Sequence, residues 1–139
     1  NVESKGEDEK VLLLPIDPDK SANNIKKNLQ LKTKVRLAVI INDSLGRAWR
    51  NGTTGTALGV SGIPALLDLR GRPDLFEKPL RVSEEAIADE LSSAASLLQG
   101  QADEGRPIVL IRGFNFLEFT ASDTGISKLI RPKEKDLFR

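Results

Sequence analysis

The chain has 139 residues, of which 39% are hydrophobic and 29% charged, a balance typical of one folded domain rather than a disordered chain. No apolar run approaches the roughly 20 residues that a membrane-spanning helix needs. The 21 basic and 20 acidic residues give a net charge of +1, which provides no overall field to attract nucleic acid or anionic lipid. We therefore expect a cytoplasmic protein that binds neither nucleic acid nor membrane.

Cysteine and histidine are both absent, which narrows the chemistry that the chain can perform. Their absence excludes disulfides, thiolate catalysis, Ser-His-Asp catalysis and histidine-bound zinc. A metal held by this chain must have oxygen ligands, which suit hard ions such as Mg²⁺ or Mn²⁺. Methionine is also absent and residue 1 is Asn1, so we expect a fragment, a processed chain or an incompletely described one.

The amino-terminal third of the chain predicts a charged segment, two strands and a helix between them. Residues 1–10 are charged and aperiodic, which indicates a loop or linker. The apolar runs at residues 11–14 and 35–41 are typical of buried strands, the second covered on both faces. Pro18 followed by Ser21 indicates a helix with Ser21 as its N-cap. The expected buried residues of this helix lie at helical spacing: Ala22, Ile25 and Leu29.

Glycine and proline dominate the middle of the chain. The glycines between Gly46 and Gly62 are too frequent for a regular helix, so they predict an irregular Gly-rich loop or a short glycine-broken strand. The prolines of residues 64–79 predict a further irregular stretch.

Residues 83–99 have the strongest helical pattern. Ser83 is the expected N-cap and Gly100 the C-terminal stop. The expected buried stripe follows helical spacing: Ile87, Leu91, Ala94 and Leu98. Later apolar runs predict a strand at residues 108–111 and a short helix near residues 126–130. The alternation of strands and helices favours a mixed α/β domain with a central sheet and flanking helices.

The triplet Asn42-Asp43-Ser44 is the main candidate for a functional turn because it follows a predicted buried strand. The ends of such strands commonly line the ligand crevice of α/β proteins. The Asp43 carboxylate and the Ser44 hydroxyl offer two oxygen ligands for a hard cation. On spacing alone an Asx-turn is favoured, in which Asp43 binds only nearby backbone N–H groups. Gln101, past the end of the second helix, could meet this turn.

Arg47 and Arg50 flank Trp49, the only tryptophan of the chain. The ring could stack on a planar cation, and the arginines could bind phosphate or carboxylate. A tryptophan that anchors the loop between solvated arginines is an equal alternative. The glycines that follow could expose backbone N–H groups to an anion, but they match no phosphate-loop motif, which favours close packing.

Residues 112–119 nearly match an RNA-binding pattern, but Asn115 occupies its small-residue position. No basic patch accompanies the segment. We therefore interpret its phenylalanines as core residues rather than base-stacking platforms: Phe114, Phe116 and Phe119.

Several of these segments resemble the coenzyme F420-0:γ-glutamyl ligase family. The most specific segment is residues 39–52, whose matching residues include Asn42, Asp43, Ser44, Gly46, Arg47, Trp49 and Arg50. The other matching segments are residues 13–19, 57–62, 86–91, 107–113 and 129–138. The resemblance covers essentially the whole chain and implies that residues 11–139 are the carboxy-terminal portion of a γ-glutamyl ligase domain.

The resemblance implies a dimeric α+β ligase of coenzyme F420 biosynthesis. Family members activate a carboxylate of the deazaflavin precursor with GTP to give an acyl phosphate. The amino group of L-glutamate then attacks, and a γ-glutamyl amide forms. Two divalent metals, Mg²⁺ or Mn²⁺, hold the nucleotide phosphates.

The resemblance also implies roles for individual residues. Asp43 would bind the first metal and Ser44 the second, where the family usually has Thr, while Gln101 falls at a metal-side position. The expected nucleotide contacts are Asn1 and members of the loop 99–106, namely Gln99, Gly100, Gln101 and Arg106. Independently of the resemblance, the residue types at Arg47, Trp49 and Arg50 lead us to expect contacts with substrate or phosphate there. No residue is assigned as a catalytic acid, base or nucleophile.

Two departures from the family pattern affect these expectations. The family's amino-terminal half, with another metal-binding Asp, has no counterpart here, so we expect this chain alone to be inactive. Gly55 stands where members commonly carry an acid, which leaves open a ligase of the same mechanism with a different carboxylate acceptor. A non-catalytic binding or assembly domain is the hypothesis from a different class.

Overall fold

A computed structural model describes residues 12–114 and 125–136 of the chain. Its regular elements, in chain order, are helix α1 (Pro18–Thr33), strands β1 (Val39–Arg47), β2 (Arg50–Ser61), β3 (Leu67–Asp68) and β4 (Glu84–Glu85), helix α2 (Ile87–Gln99), and two 3₁₀ turns (Ile126–Lys128 and Lys133–Lys135). β1 pairs with β2 and β3 with β4, so the described residues form two antiparallel two-stranded sheets and a mixed α+β fold. In these ranges no helix is long and apolar enough to span a membrane.

Helix α1 begins one turn earlier than the sequence predicts. Asp17 is its N-cap, because the Asp17 carboxylate accepts a hydrogen bond from the Lys20 N–H at 2.9 Å. Pro18 takes the first helical position, where a missing N–H costs nothing. The prediction of Ser21 as the cap is wrong, since its hydroxyl donates to the Asp17 carbonyl inside the first turn.

The long β1–β2 hairpin replaces the predicted buried strand and Gly-rich loop. β1 starts at Val39 and continues to Arg47, while residues 50–61 form an extended strand rather than an irregular loop. Pairing runs from Val39 opposite Ser61 to Arg47 opposite Arg50, with Leu58 left without a partner at a bulge. The strand stays extended, apart from its irregularities of register, because pairing with β1 satisfies the backbone of these glycine-rich residues.

Two glycines of β2 let the helices approach its backbone closely. A Cβ atom on Gly55 would lie 2.6 Å from the Cβ of Ser96 in α2. A Cβ atom on Gly59 would lie 2.6 Å from the Cβ of Pro18 in α1. Close packing, which the sequence favoured over anion binding, therefore explains both glycines.

Helix α2 is shorter than predicted and buries a different stripe. It starts at Ile87 with no side-chain cap, because Ser83 precedes β4 and Glu84 and Glu85 form that strand. Gly100, with φ of 78°, ends the helix as predicted. The buried α2 residues are Ile87, Ala88 and Ser92. Of the predicted stripe, Leu91 is half-buried while Ala94 and Leu98 are exposed, because β2 covers the neighbouring face.

The core is small and lies between β2 and the two helices. Its buried apolar residues are Ala57, Val60, Ile63, Ala65, Ile87 and Ala88. Ala22 of α1 is also buried, as predicted, whereas Ile25 and Leu29 are exposed. The phenylalanines of residues 112–119, predicted to enter the core, lie mostly outside the described residues, and the first of them, Phe114, is exposed.

Two predicted buried strands are absent from the described residues. Leu13 is 88% exposed and Ile108 is 86% exposed, and neither lies in a strand. Val11, the first residue of the earlier predicted strand, lies outside the described residues. An apolar run alone does not specify a strand, because a strand also needs a neighbour to complete its hydrogen bonds.

The carboxylate of Asp19 connects three distant parts of the fold. Its Oδ1 accepts hydrogen bonds from the Val60 N–H at 2.8 Å and from the Ile126 N–H at 3.2 Å. The second of these residues opens the 3₁₀ turn Ile126–Lys128, which lies where a short helix was predicted. α1, β2 and the carboxy-terminal turn are thereby joined by one side chain.

Candidate functional site

Asn42, Asp43 and Ser44 lie in the middle of β1 rather than in a turn. Their Cα partners across the hairpin are Ala57, Thr56 and Gly55, respectively. The prediction that the strand ends at this triplet is wrong, because pairing with β2 extends β1 three residues further, to Arg47. The two-residue turn of the hairpin is formed instead by Ala48 and Trp49.

Asp43 is exposed and keeps most of its carboxylate available. Its Oδ1 accepts one hydrogen bond, from the Ser44 N–H at 2.7 Å. This is the local Asx contact that the sequence offered as the alternative to metal binding, although it occurs within a strand. Ser44 is half-buried, and successive strand residues project to opposite faces of a sheet.

The chemistry of the donors suits a hard divalent ion, although acidic groups are sparse. Asp43, Ser44 and Gln101 provide carboxylate, hydroxyl and amide oxygens, the ligand types that Mg²⁺ and Mn²⁺ accept. Across residues 12–114 and 125–136, no three acidic side chains gather closely enough to hold a metal ion. A metal at Asp43 would therefore take the rest of its ligands from phosphate, water or other polypeptide.

A reciprocal amide pair joins β1 to the end of α2. The Asn42 Nδ2 donates to the Gln99 Oε1 at 2.8 Å, and the Gln99 Nε2 donates to the Asn42 Oδ1 at 3.3 Å. Gln99 also donates to the Pro107 carbonyl at 3.4 Å, at the far end of the loop 99–106. The structure thus brings the predicted nucleotide loop to the strand that carries Asp43 and Ser44.

The sequence predicted that Gln101 could contact the Asp43 segment, and it included Asn42 in the candidate triplet without giving it a partner. In the structure the Gln101 amide donates to the Ser96 hydroxyl at 3.3 Å, so it folds back onto α2. No spacing rule identifies a partner for Asn42 that is 57 positions away. The only local signals for this contact were that Asn42 follows a predicted strand and that Gln99 lies at the end of a predicted helix.

The loop 99–106 is shaped by two left-handed glycines and by Glu104. Gly100 and Gly105 have φ of 78° and 62°, which only glycine adopts readily. The Glu104 carboxylate accepts the Ala102 N–H at 2.9 Å. The pKa of Glu104 is lowered by that bond, by the N–H of Glu104 itself and by the charge of Arg106. The Glu104 side chain therefore stays a carboxylate. Arg106 is exposed beside this negative charge.

Helix α2 supports the back of the hairpin at the level of Ser44. The Ser93 hydroxyl donates to the Gly55 carbonyl at 2.8 Å and lies 3.0 Å from the Thr54 hydroxyl. The Asp89 carboxylate accepts the Ala57 N–H at 2.9 Å. Because a side chain at Gly55 would collide with α2, packing against the helix requires a glycine at this position.

The tip of the hairpin presents the predicted Arg47, Trp49 and Arg50 group. All three side chains are exposed, and Trp49 is 91% exposed. The alternative in which Trp49 anchors the loop by packing is therefore wrong. The Arg47 guanidinium donates to the Asn51 carbonyl at 3.4 Å, a contact that holds it beside the turn. Asn1, the remaining predicted nucleotide contact, lies outside the described residues.

Comparisons with known proteins agree with the resemblance. Residues 1–113 match the F420-0:Gamma-glutamyl ligase family. A coenzyme F420:L-glutamate ligase of Methanocaldococcus jannaschii is 50% identical over 131 residues, which are 93% of this chain and 51% of that protein. The ligase of the same name from Methanothermobacter thermautotrophicus is 47% identical over 137 residues, 99% of this chain and 54% of that protein.

A more distant relative extends the same likeness. The coenzyme F420:L-glutamate ligase of Archaeoglobus fulgidus is 38% identical over 136 residues, covering 98% of this chain and 53% of that protein. The chain spans about half the length of these curated relatives. Both the family match and the relatives lead to one conclusion: the chain belongs to the F420-0:γ-glutamyl ligase family.

Proposed function

We propose that the chain is the carboxy-terminal portion of a GTP- and divalent-metal-dependent ligase that joins L-glutamate to the deazaflavin coenzyme F420 precursor. Family membership supports the reaction class. The single structural observation that carries the proposal is the Asn42–Gln99 pair, with its bonds of 2.8 Å and 3.3 Å. It holds the predicted nucleotide loop against the strand of the predicted metal residues.

In this proposal Asp43 and Ser44 hold divalent metals, and Gln101 is the third residue assigned to the metals. A bound Mg²⁺ or Mn²⁺ supplies positive charge that offsets the phosphate charge of GTP. The exposed carboxylate of Asp43 supports this role, because its single local hydrogen bond leaves further lone pairs for a ligand. Asn1 and the loop residues Gln99, Gly100, Gln101 and Arg106 contact the nucleotide in the same proposal.

The reaction proceeds in two steps. A carboxylate oxygen of the acceptor attacks the γ-phosphorus of GTP, and GDP leaves as the acyl phosphate forms. The amino nitrogen of L-glutamate then attacks the acyl carbon, loses a proton and expels phosphate. Both steps bring anions together, so the exposed Arg106 and the hairpin arginines suit the site electrostatically. The complete ligase works as a homodimer in this proposal.

The same mechanism with a different carboxylate acceptor is the second candidate. The observation that favours it is Gly55, which is buried against α2 where family members commonly carry an acid. An acceptor that depends on that acid for recognition would bind poorly here. Glutamate ligation assayed with the deazaflavin precursor and with other carboxylates distinguishes the two candidates.

The metal role is tested with Mn²⁺ as a paramagnetic probe. In the complete ligase that contains this chain, Asp43→Asn should lower GTP-dependent Mn²⁺ binding about tenfold or more, since it removes a charged ligand. Electron paramagnetic resonance measures the bound Mn²⁺, and circular dichroism confirms that the variant is folded. Glu90→Gln is the matched control, because Glu90 is an exposed acid of α2 that has no assigned role in the site. Unchanged Mn²⁺ binding in Asp43→Asn would contradict the proposal.

A further inference from the structure

The tip of the β1–β2 hairpin holds its aromatic ring in an unusual backbone conformation. Trp49 has φ of 62°, in the left-handed region that bulky residues rarely adopt. Such a conformation persists where the surrounding structure or a function maintains it. The 91% exposure of Trp49 means that packing of the ring does not maintain it.

Two arginines flank the turn that contains Trp49. Arg47 and Arg50 form the last pair of the β1–β2 ladder, on either side of the turn. The salt bridges of the described residues involve neither of these arginines. Both guanidinium groups therefore keep N–H donors for an anion, although Arg47 uses one on the Asn51 carbonyl. The exposed Trp49 offers an uncovered aromatic face.

We propose that Arg47, Trp49 and Arg50 bind a planar heteroaromatic ligand that carries anionic groups, with the ring stacked on Trp49 and the anions on the arginines. Aromatic stacking is tolerant of ring identity, and guanidinium groups bind phosphate and carboxylate bidentately. This inference rests on the proposed function, in which two ligands have that chemistry. They are GTP, through guanine, and the deazaflavin acceptor.

The position of the tip adds a constraint. Asp43 precedes Arg47 by four strand residues, which corresponds to about 13 Å along the strand. The tip is therefore distant from the predicted metal residues. It binds the end of the ligand that does not react, while the reacting carboxylate or phosphate extends towards Asp43.

The single tryptophan makes the inference directly measurable, because its fluorescence reports only on the tip. The ligase containing this chain, with any tryptophan outside it replaced by phenylalanine, is titrated separately with GTP and with the deazaflavin precursor. Quenching by one of them identifies the source of the ring. L-glutamate, an anion without an aromatic ring, should leave the emission unchanged.

Variants separate binding from folding. Trp49→Gly removes the ring and relieves the left-handed backbone, so a folded protein with about tenfold weaker binding is expected. Trp49→Phe should restore binding to within about threefold, since it keeps an aromatic face. Fluorescence polarisation of the deazaflavin or of a labelled GTP measures both, because these variants lack the indole signal. Arg47→Gln and Arg50→Gln should weaken binding, while Arg81→Gln, an exposed arginine elsewhere, should not.

The result that overturns the inference is the absence of quenching by both ligands. Mn²⁺-dependent GTP binding, measured on the same sample, then separates the two proposals. If that binding is retained, only the role of the tip fails. If it is lost as well, the proposed function fails with it. Unchanged affinity in Trp49→Gly would also overturn the role of the ring.

Discussion

Asn42 and Gln99 exchange hydrogen bonds in both directions, at 2.8 Å and 3.3 Å, across 57 positions of sequence. The pair satisfies two amides at once and fixes where the loop after α2 begins relative to β1. It is the contact on which the proposed nucleotide site depends.

Replacing Asn42 by Leu should free the loop. The change leaves the half-buried Gln99 amide without its main partner, so the free energy of unfolding should fall by about 1–2 kcal/mol. Amide hydrogen exchange at residues 100–106 should accelerate, while exchange in α1 should not change. Asn28→Leu, at an exposed site of α1, is the control. Equal acceleration in both variants would show that the pair does not hold the loop.

Replacing Gly55 by an acidic residue should lower the stability of the fold. Gly55→Asp places a side chain where even Cβ would lie 2.8 Å from the Ser92 carbonyl carbon, so α2 must move. We expect a loss of about 1–3 kcal/mol or more in unfolding free energy, measured by urea denaturation. Gly46→Ala is the matched control, because no atom lies within 4 Å of a Cβ there. A stable Gly55→Asp protein would contradict this packing account.

Neighbouring serines of α2 should respond in opposite directions to alanine. Among the described residues, the buried Ser92 hydroxyl has no hydrogen-bond partner, so Ser92→Ala should stabilise by about 1 kcal/mol. Ser93 bonds to the Gly55 carbonyl at 2.8 Å, so Ser93→Ala should destabilise by a similar amount. Thermal unfolding of the two variants measures the difference. A loss of stability in Ser92→Ala would reveal an unrecognised partner.

Asp68 should titrate at unusually low pH. The Arg70 guanidinium, 2.8 Å from Asp68 Oδ1, and the Arg70 N–H lower the pKa of Asp68 from 3.8 to about 2. Because the folded pKa is the lower one, this contribution to stability is present above pH 4 and is lost as the pH falls towards 2. Carbon-detected NMR of the Asp68 carboxyl measures the midpoint. Arg70→Gln should return it towards 3.8, and an unshifted midpoint in the parent chain would contradict the contact.

Local sequence signals predicted the parts of the fold that depend on local interactions. Local signals predicted that a helix follows Pro18, although they placed its N-cap at Ser21 rather than at Asp17. Gly100 ended α2 through its left-handed conformation, as expected from a glycine. The hairpin was missed because residues 50–61 contain many glycines, and only pairing with β1 makes them extended. The run at 108–111 was misassigned because apolar composition does not determine what covers it.

In the candidate site, too, the sequence indicated individual residues but not the tertiary contacts between them. The resemblance suggested Asp43, Ser44 and the loop 99–106 as site residues, but it did not give their geometry. The Asn42–Gln99 contact is a tertiary event between one strand and one helix end, and no periodicity encodes it. The uncovered Trp49 likewise could not be distinguished from an anchoring tryptophan until its exposure was known.

The Asp19 carboxylate has a consequence for how the chain folds. It accepts from residue 60 and from residue 126, which is 107 positions further along the chain than Asp19. Closing so long a loop costs entropy before the second contact contributes any stability. The hairpin and α1 can assemble first through shorter closures, and the carboxy-terminal turn docks afterwards. Asp19→Asn should therefore accelerate unfolding more than it slows refolding. The contacts of Asp19 thus form after the folding transition state and mainly slow the unfolding of the native protein.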